Sequence, residues 1–403
     1  MNSMIKSLRQ NLGISLVLVG VTLSMFLNFF YPITYWTPII MLLSCLLLCD
    51  KSTLKSTITW NKTFKMIVVF QVIMLFYFVV SFNEELAHDL KPKLLSFHLY
   101  VLSLSFVLMK TPTLRERDFL PCLFVVSGIL TIISAICHFE GLIKLDRMYN
   151  KENAVLEVFS CNMAAFVNFS SSLLLLSRYK KKYILLFGVF AFLDFYVIMM
   201  SDKRSYFVSA LVVAILYLYK IKKLKKGFLY TIVIYTLLVM VIPQVRELTM
   251  TFIDRTIDGI STVFIDKKSV HVDWDDSASI RAWSQRIAIK KFDTFNFFNY
   301  LFGGGYYYWF FDNPLGESYL DMGLIGLFFY VYIVVYVPLK YFMVCSSKML
   351  KLLCCIFISA MNISIILTNN NPYIYMNYTP ICLLAMCIMP NNNKTKKIYD
   401  NKK

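Results

Sequence analysis

The sequence predicts an all-α, polytopic helical membrane protein of about 12 transmembrane helices, with one long loop on the outer face. Apolar residues fill 58% of the 403 positions and charged residues 16%, with a mean hydropathy of +0.62. Soluble chains run about 45–50% apolar and about 25% charged, so this chain hides apolar surface in lipid. Its apolar runs approach the ~20 residues that cross a bilayer. They lack the two-residue alternation of a barrel strand, so helices, which satisfy their own backbone groups, remain. Scarce Gly (13) and Pro (11) beside 35 Phe and 26 Tyr exclude disorder and collagen-like structure.

The elements follow in order. The first run, 12–31, comes after the basic stretch MNSMIKSLRQ. No small-residue cleavage site precedes the next run, so it is expected to stay as an uncleaved span. Runs at 33–49, 66–82, 94–109, 119–138, 158–177, 184–201, 205–219 and 228–243 complete nine spans within 1–243. The polar stretch 244–317 is the long loop, with an interfacial helix. Residues 318–403 hold the runs 319–338, 349–368 and 375–389 and a polar tail.

Lys and Arg orient the spans, because short cytoplasmic loops carry the positive excess. With both termini inside, cytoplasmic segments hold 26 of the 41, short outer loops 7 and the long segment 8. Of the 24 acids, only Asp50, Glu116, Asp118 and Asp400 fall inside. The net charge of +17 is thus a topology signal, and nucleic acid is discounted, since it requires one concentrated basic face. The ten cysteines sit in or beside apolar runs and read as small hydrophobes.

Three stretches carry chemistry. In SDKRSYF, Ser201 to Phe207, Lys203 and Arg204 break the positive-inside pattern at a helix mouth. A guanidinium fork there suits a lipid phosphate, while the same cations also suit a turn snorkelling to headgroups. In SASIRAWSQRIAIKKF, Ser277 to Phe292, helical spacing puts Ile280, Trp283 and Ile287 on one face, with Arg281, Arg286 and Lys290 around it. Such a helix anchors at the membrane surface, or offers Arg281 to an anionic substrate. In LFGGGYYYWFFDNPLGESYLDMGLIGL, Leu301 to Leu327, three glycines permit close backbone approach. The aromatics that follow, Tyr306, Tyr307 and Trp309 among them, suit sugar rings or a membrane-boundary belt. Asp312 is a polar neighbour there. Glu317 and Asp321 flank the next span as candidate general bases or as acids favoured by a helix N-terminus.

Other residues say less. Asp273 to Asp276 lack the spacing of a calcium loop and read as a solvated turn. Asp194 lies inside an apolar run, which makes it a functional candidate, against a plain hydrogen bond to a neighbouring helix. His88, His98, His138 and His271 show no ligand spacing, so no metal is expected. No phosphate-binding glycine loop ends in Lys-Ser/Thr, and no cofactor is implied.

The order of SDKRSYF, SASIRAW, LFGGG and then Glu317-Ser318-Tyr319-Leu320 with Gly323 and Gly326 resembles the O-antigen polymerase and O-antigen ligase superfamily of bacterial envelope proteins. The resemblance spans roughly residues 190–330 as a pattern, and the remainder only as topology. It implies a multi-pass inner-membrane protein whose long loop is periplasmic. It implies a glycosyltransferase acting on undecaprenyl-pyrophosphate-linked oligosaccharide, among membrane lipids, with a chain-length regulator and a flippase of the same pathway as partners. Ligases of the family carry His where Glu317 stands, which favours the polymerase branch; transfer to lipid A-core by a ligase is the alternative, and a lipid-linked oligosaccharide flippase the second. Arg204, Arg281 and Glu317 are the catalytic candidates. Lys203, Arg286, Trp283, Tyr306, Tyr307, Trp309 and Asp312 are the substrate-binding candidates.

The charge split yields a test. The variant Ser261→Cys is expected to react with a membrane-impermeant thiol reagent in intact spheroplasts. Labelling only after lysis would invert the topology.

Overall fold

The computed structural model describes residues 36–48, 62–87, 90–110, 116–141, 158–176, 184–200, 204–220, 277–311 and 313–344, together with positions 12–13, 16, 240, 243, 246, 250, 372–373, 378 and 381–382. Every regular element among them is helical. The helices are α1 (Trp36–Leu48), α2 (Lys62–Val80), the short α3 (Glu84–Ala87), α4 (Lys91–Lys110), α5 (Glu116–Phe139), α6 (Val158–Leu176), α7 (Ile184–Met200), α8 (Arg204–Lys220), α9 (Ser277–Phe292), α10 (Phe297–Phe302), α11 (Pro314–Val331) and α12 (Val337–Val344). A π turn, Tyr332–Tyr336, joins the last two. Pro338 has no N–H to give the helix, and this widened turn comes just before it.

Among the described residues, three helical stretches are long and apolar enough to cross a membrane: Lys62–Val80, Pro121–Phe139 and Pro314–Tyr341. Cys161–Leu176 and Leu185–Met199 are shorter apolar helices. Of the expected runs, 349–368 lies outside the described residues, and 12–31, 228–243 and 375–389 lie almost wholly outside them.

The helices are packed with apolar side chains outward. On α2, Val69, Val72, Phe76 and Val79 are exposed; on α5, Val125, Ile129, Ile132 and Ile136; on α7, Leu185, Val189 and Phe192. Each set steps by three or four residues and forms one stripe. Such stripes would be a liability in water and are what lipid requires. The inward stripe of α5 is polar. Ser127, Thr131 and Ser134 are fully buried there, each returning its hydroxyl to the carbonyl four residues back, at 2.5, 2.9 and 2.7 Å. In lipid, helices gain little hydrophobic drive toward one another and associate through close packing and polar contacts.

Two groups of helices result. In the first, α6 packs against α5, α7 and α8, and every residue from Cys161 to Leu175 is buried. In the second, α2 packs against α4 and α11, and α4 against α1. Phe70 stacks on Phe329 with ring centroids 5.5 Å apart, and the Thr63 and Tyr341 hydroxyls meet at 2.6 Å.

α10 and α11 lie beside each other because two glycines face across the gap. Gly303 (φ 80°) ends α10, donating its N–H to the Asn299 carbonyl at 2.7 Å, and Gly323 (φ 62°) interrupts α11. A Cβ on Gly303 would strike the Asp321 carbonyl, and one on Gly323 would strike the carbonyl of Leu301. Side chains at positive φ add about 1–2 kcal/mol of strain. Gly303→Ala and Gly323→Ala are therefore each expected to lose folded protein in a detergent thermal-unfolding measurement. Gly188→Ala, in open space on α7, is expected to be neutral or to stabilise by about 0.5–1 kcal/mol.

Candidate functional site

The site is built on the break in α11. Where Gly323 leaves helical geometry, nearby carbonyls turn outward, and the glycine turn meets them. Gly304 N–H donates to the Leu320 carbonyl at 2.9 Å and Gly305 N–H to the Asp321 carbonyl at 3.0 Å. The Asp321 side chain answers in the other direction. It accepts from Tyr308 N–H at 2.9 Å through Oδ1, and from Tyr307 N–H at 3.1 Å and the Tyr373 hydroxyl through Oδ2. Tyr307 is held at φ 61°, unusual for a residue with a side chain. The bonds from the Tyr307 and Tyr308 N–H groups to Asp321 hold that geometry.

A second chain of contacts starts at Tyr306. Its ring is fully buried and stacks on Tyr373 at 4.0 Å. Its hydroxyl meets His98 Nε2 at 2.6 Å, while His98 Nδ1 meets Gln71 Oε1 at 2.7 Å. Because Gln71 presents an acceptor, Nδ1 carries the ring proton and Nε2 accepts from Tyr306. Burial pushes the Tyr306 phenol well above its ordinary range, with Asp321 and Tyr307 adding to it, so its hydroxyl stays a donor. The backbone is tied as well: Tyr306 N–H donates to Ser81 Oγ at 3.2 Å, Asn83 N–H to the Tyr306 carbonyl at 3.0 Å, and the Tyr77 hydroxyl to the Phe302 carbonyl at 2.7 Å. The glycine turn is thereby bolted to α2, α4 and α11 at once.

Against this junction lies α9. Its buried stripe is Ser284 and Ala288, one position round from the expected Ile280, Trp283 and Ile287 face. These small residues let the helix approach closely, and the bulk comes from the opposite side. Ala288 packs with Phe295 and Leu320, Phe292 stacks on Tyr319 at 5.4 Å, and Trp283 lies 5.8 Å from Trp309. Trp309 Nε1 donates to the Ser284 carbonyl at 3.3 Å, and Ser284 Oγ to the carbonyl of Phe310. The Lys291 ammonium sits over the Tyr308 and Trp309 rings, 4.6 and 5.0 Å from their centroids, a cation–π arrangement.

The candidates named from sequence therefore fall in different surroundings. Trp283, Trp309 and Arg286 are half-buried at the junction of α9 with the aromatic run. Tyr306 and Tyr307 turn inward, because the first closes on His98 and the second takes the backbone shape that Asp321 fixes. Glu317 is fully buried in the first turn of α11, four residues before Asp321. Asn313 caps that helix, its Oδ1 accepting from Leu315 N–H at 3.0 Å and Gly316 N–H at 3.2 Å. Arg204 begins α8 and Arg281 lies within α9, on backbone that is described while their side chains are not. Lys203 and Asp312 lie outside the described residues. His98, Gln71 and Tyr373 were not named as site residues from sequence. The signal available was a histidine in the middle of an apolar run, a place where an ionisable ring needs a partner.

Asp321 tests the scaffold. Asp321→Asn turns one accepting oxygen into a donor facing a backbone N–H, and Tyr373→Phe removes the third donor. Each buried group left unpaired costs about 1–3 kcal/mol, so both variants should unfold at lower temperature, Asp321→Asn the more so. Unfolding of the Asn variant within about 0.5 kcal/mol of the parent, the range of ordinary surface changes, would remove Asp321 from the scaffold.

Compared with family models, with curated proteins and with solved structures, the chain matches none of them.

Proposed function

We propose that this chain is an O-antigen polymerase: a multi-pass inner-membrane glycosyltransferase, of about twelve spans, joining undecaprenyl-pyrophosphate-linked oligosaccharide units at the periplasmic face. The observation that supports this most is the docking of α9 on the aromatic run before α11, through Trp283 with Trp309 and Phe292 with Tyr319. It joins two of the three stretches on which the family resemblance rests, and sets half-buried aromatic rings beside the helix that carries Arg281 and Arg286. Flat rings with polar edges next to fixed cations are a suitable lining for a sugar attached to a phosphate.

In this reading the acceptor hydroxyl gives its proton to Glu317 and its oxygen attacks the anomeric carbon of the lipid-linked chain. The bond from that carbon to the pyrophosphate oxygen breaks, and undecaprenyl pyrophosphate leaves. Arg204 and Arg281, with Lys203, stabilise the departing anion, which cations do most effectively in a partly dry site. Glu317 is enclosed by the turn and α11, so the acceptor must enter beside that helix for it to act.

A strain lacking the chain is expected to make lipopolysaccharide with core plus a single repeat; bare core would favour a ligase or a flippase. Arg204→Ala and Arg281→Ala are each expected to abolish the ladder of long chains without loss of protein from the membrane, with Lys rescuing in part because an ammonium lacks the guanidinium fork. General-base catalysis contributes about 10²–10⁴-fold. With purified protein and a synthetic lipid-linked repeat, Glu317→Gln should therefore nearly stop elongation, while Glu317→Asp retains some. A Gln variant within a few-fold of the parent rate assigns Glu317 to structure.

A further inference from the structure

The lipid-facing stripe of α11 stops short of the N-terminal end of the helix. Its exposed apolar residues are Leu324, Phe328 and Val331, spaced by three or four, and all follow the break at Gly323. The turns before the break show no such stripe, because α9 covers them: Phe292 stacks on Tyr319, and Ala288 packs with Leu320. Apolar surface reappears at this height on α10 instead. Phe297 is 72% exposed, Phe298 68% and Phe302 48%. Phe298 and Phe302 are one turn apart on the same side, and the Phe297 ring meets the Phe298 ring at 5.9 Å between centroids.

The height of α10 is given by α2. This helix runs antiparallel to α11, since Thr63 meets Tyr341 and, farther along, Phe70 stacks on Phe329. Farther still comes Tyr77, whose hydroxyl donates to the Phe302 carbonyl at 2.7 Å, close to where Gly323 faces Leu301 of α10. The exposed stripe of α2 does not stop at Tyr77. It continues through Val79 and Val80, two and three residues onward, or about 3–4.5 Å at the helical rise. α10 therefore lies slightly inside the end of a stripe that faces lipid.

Composition agrees with this depth. No Asp, Glu, Lys, Arg or His stands between Asp293 and Asp312. The Tyr300 hydroxyl is spent on the Phe292 carbonyl at 3.1 Å, and Asn296 caps α10, its Oδ1 accepting from Asn299 N–H at 2.9 Å. Three large rings side by side in water would be a liability, whereas aromatic residues are enriched where a membrane meets water. The apolar surface of α10 continues the stripes of α2 and α11 and shares their solvent.

We propose that α10 is a wedge in the bilayer, with Phe297, Phe298 and Phe302 among the acyl chains of the leaflet nearer the glycine turn. The wedge stands apart from the polymerase reading and needs only that α2 and α11 cross the membrane. Because Gly303 follows α10 directly, a seated wedge also holds the turn and the Tyr306 to Trp309 run at headgroup height.

The test uses full-length protein in nanodiscs of phosphatidylethanolamine and phosphatidylglycerol. Phe298→p-benzoylphenylalanine places a group that inserts into nearby C–H bonds under ultraviolet light, and Phe328→p-benzoylphenylalanine is the lipid-facing control. Mass spectrometry is expected to find acyl-chain adducts on the peptides of both positions. An adduct at 328 with none at 298 overturns the wedge, as does a cross-link from 298 to the chain itself or to a second copy. In a separate measurement, Phe298→Asp is expected to lower the thermal midpoint in nanodiscs, and Phe298→Leu to leave it unchanged. On a water-facing surface the change to Asp would be tolerated, so an unchanged midpoint overturns the wedge too. This second measurement decides the matter if the photoreactive variant fails to fold.

Discussion

A backbone that leaves helical geometry near a membrane must find protein partners for every carbonyl and N–H it releases, since lipid offers none. The break at Gly323 creates this demand in α11, and the glycine turn meets it. Gly304 and Gly305 supply N–H groups to the Leu320 and Asp321 carbonyls, and the Asp321 side chain takes the N–H groups of Tyr307 and Tyr308 in return. The exchange runs both ways, so neither segment holds this shape without the other. What surrounds it follows: Tyr306 is directed to His98, the turn is tied to α2, and the aromatic run is presented to α9.

The two helix groups use the same rule with different materials. Around α2 and α4, aromatic rings fill the interior, and the polar groups among them close on one another, as His98 does with Gln71 and Tyr306. Around α6, small and polar residues fill it: Ala164, Ala165, Asn162, Asn168 and three consecutive serines. Aromatic packing yields a rigid post on which a loop can be mounted.

Hydropathy alone made much of this fold legible. The run 158–177 corresponds to Val158–Leu176, and 184–201 to Ile184–Met200, because a helix that meets lipid must be apolar over its length. Ser277 to Phe292, expected as a helix, is one, with both ends as expected. Its face was legible only approximately. Periodicity selects the largest apolar residues, but the contact with Trp309 and Phe310 selects the smallest, Ser284 and Ala288. The site was harder to read. His98 and Tyr306 stand 208 residues apart, and nothing local in either marks the other. Tyr306 and Tyr307 read as rings for a sugar or for a membrane-boundary belt; their inward direction comes from Asp321, whose backbone contacts depend on a break that only Gly323 hints at.

The Tyr373 hydroxyl on Asp321 gives this architecture a schedule. Chains are made and inserted from the N-terminus onward, so α2 and α4 are in place long before the glycine turn emerges, and the turn before residue 373. During synthesis the Asp321 carboxyl thus meets the Tyr307 and Tyr308 N–H groups before the Tyr373 hydroxyl, which arrives when most of the chain has been made. Tyr373 acts as a latch. A chain that ends before residue 373 leaves Asp321 without this hydroxyl.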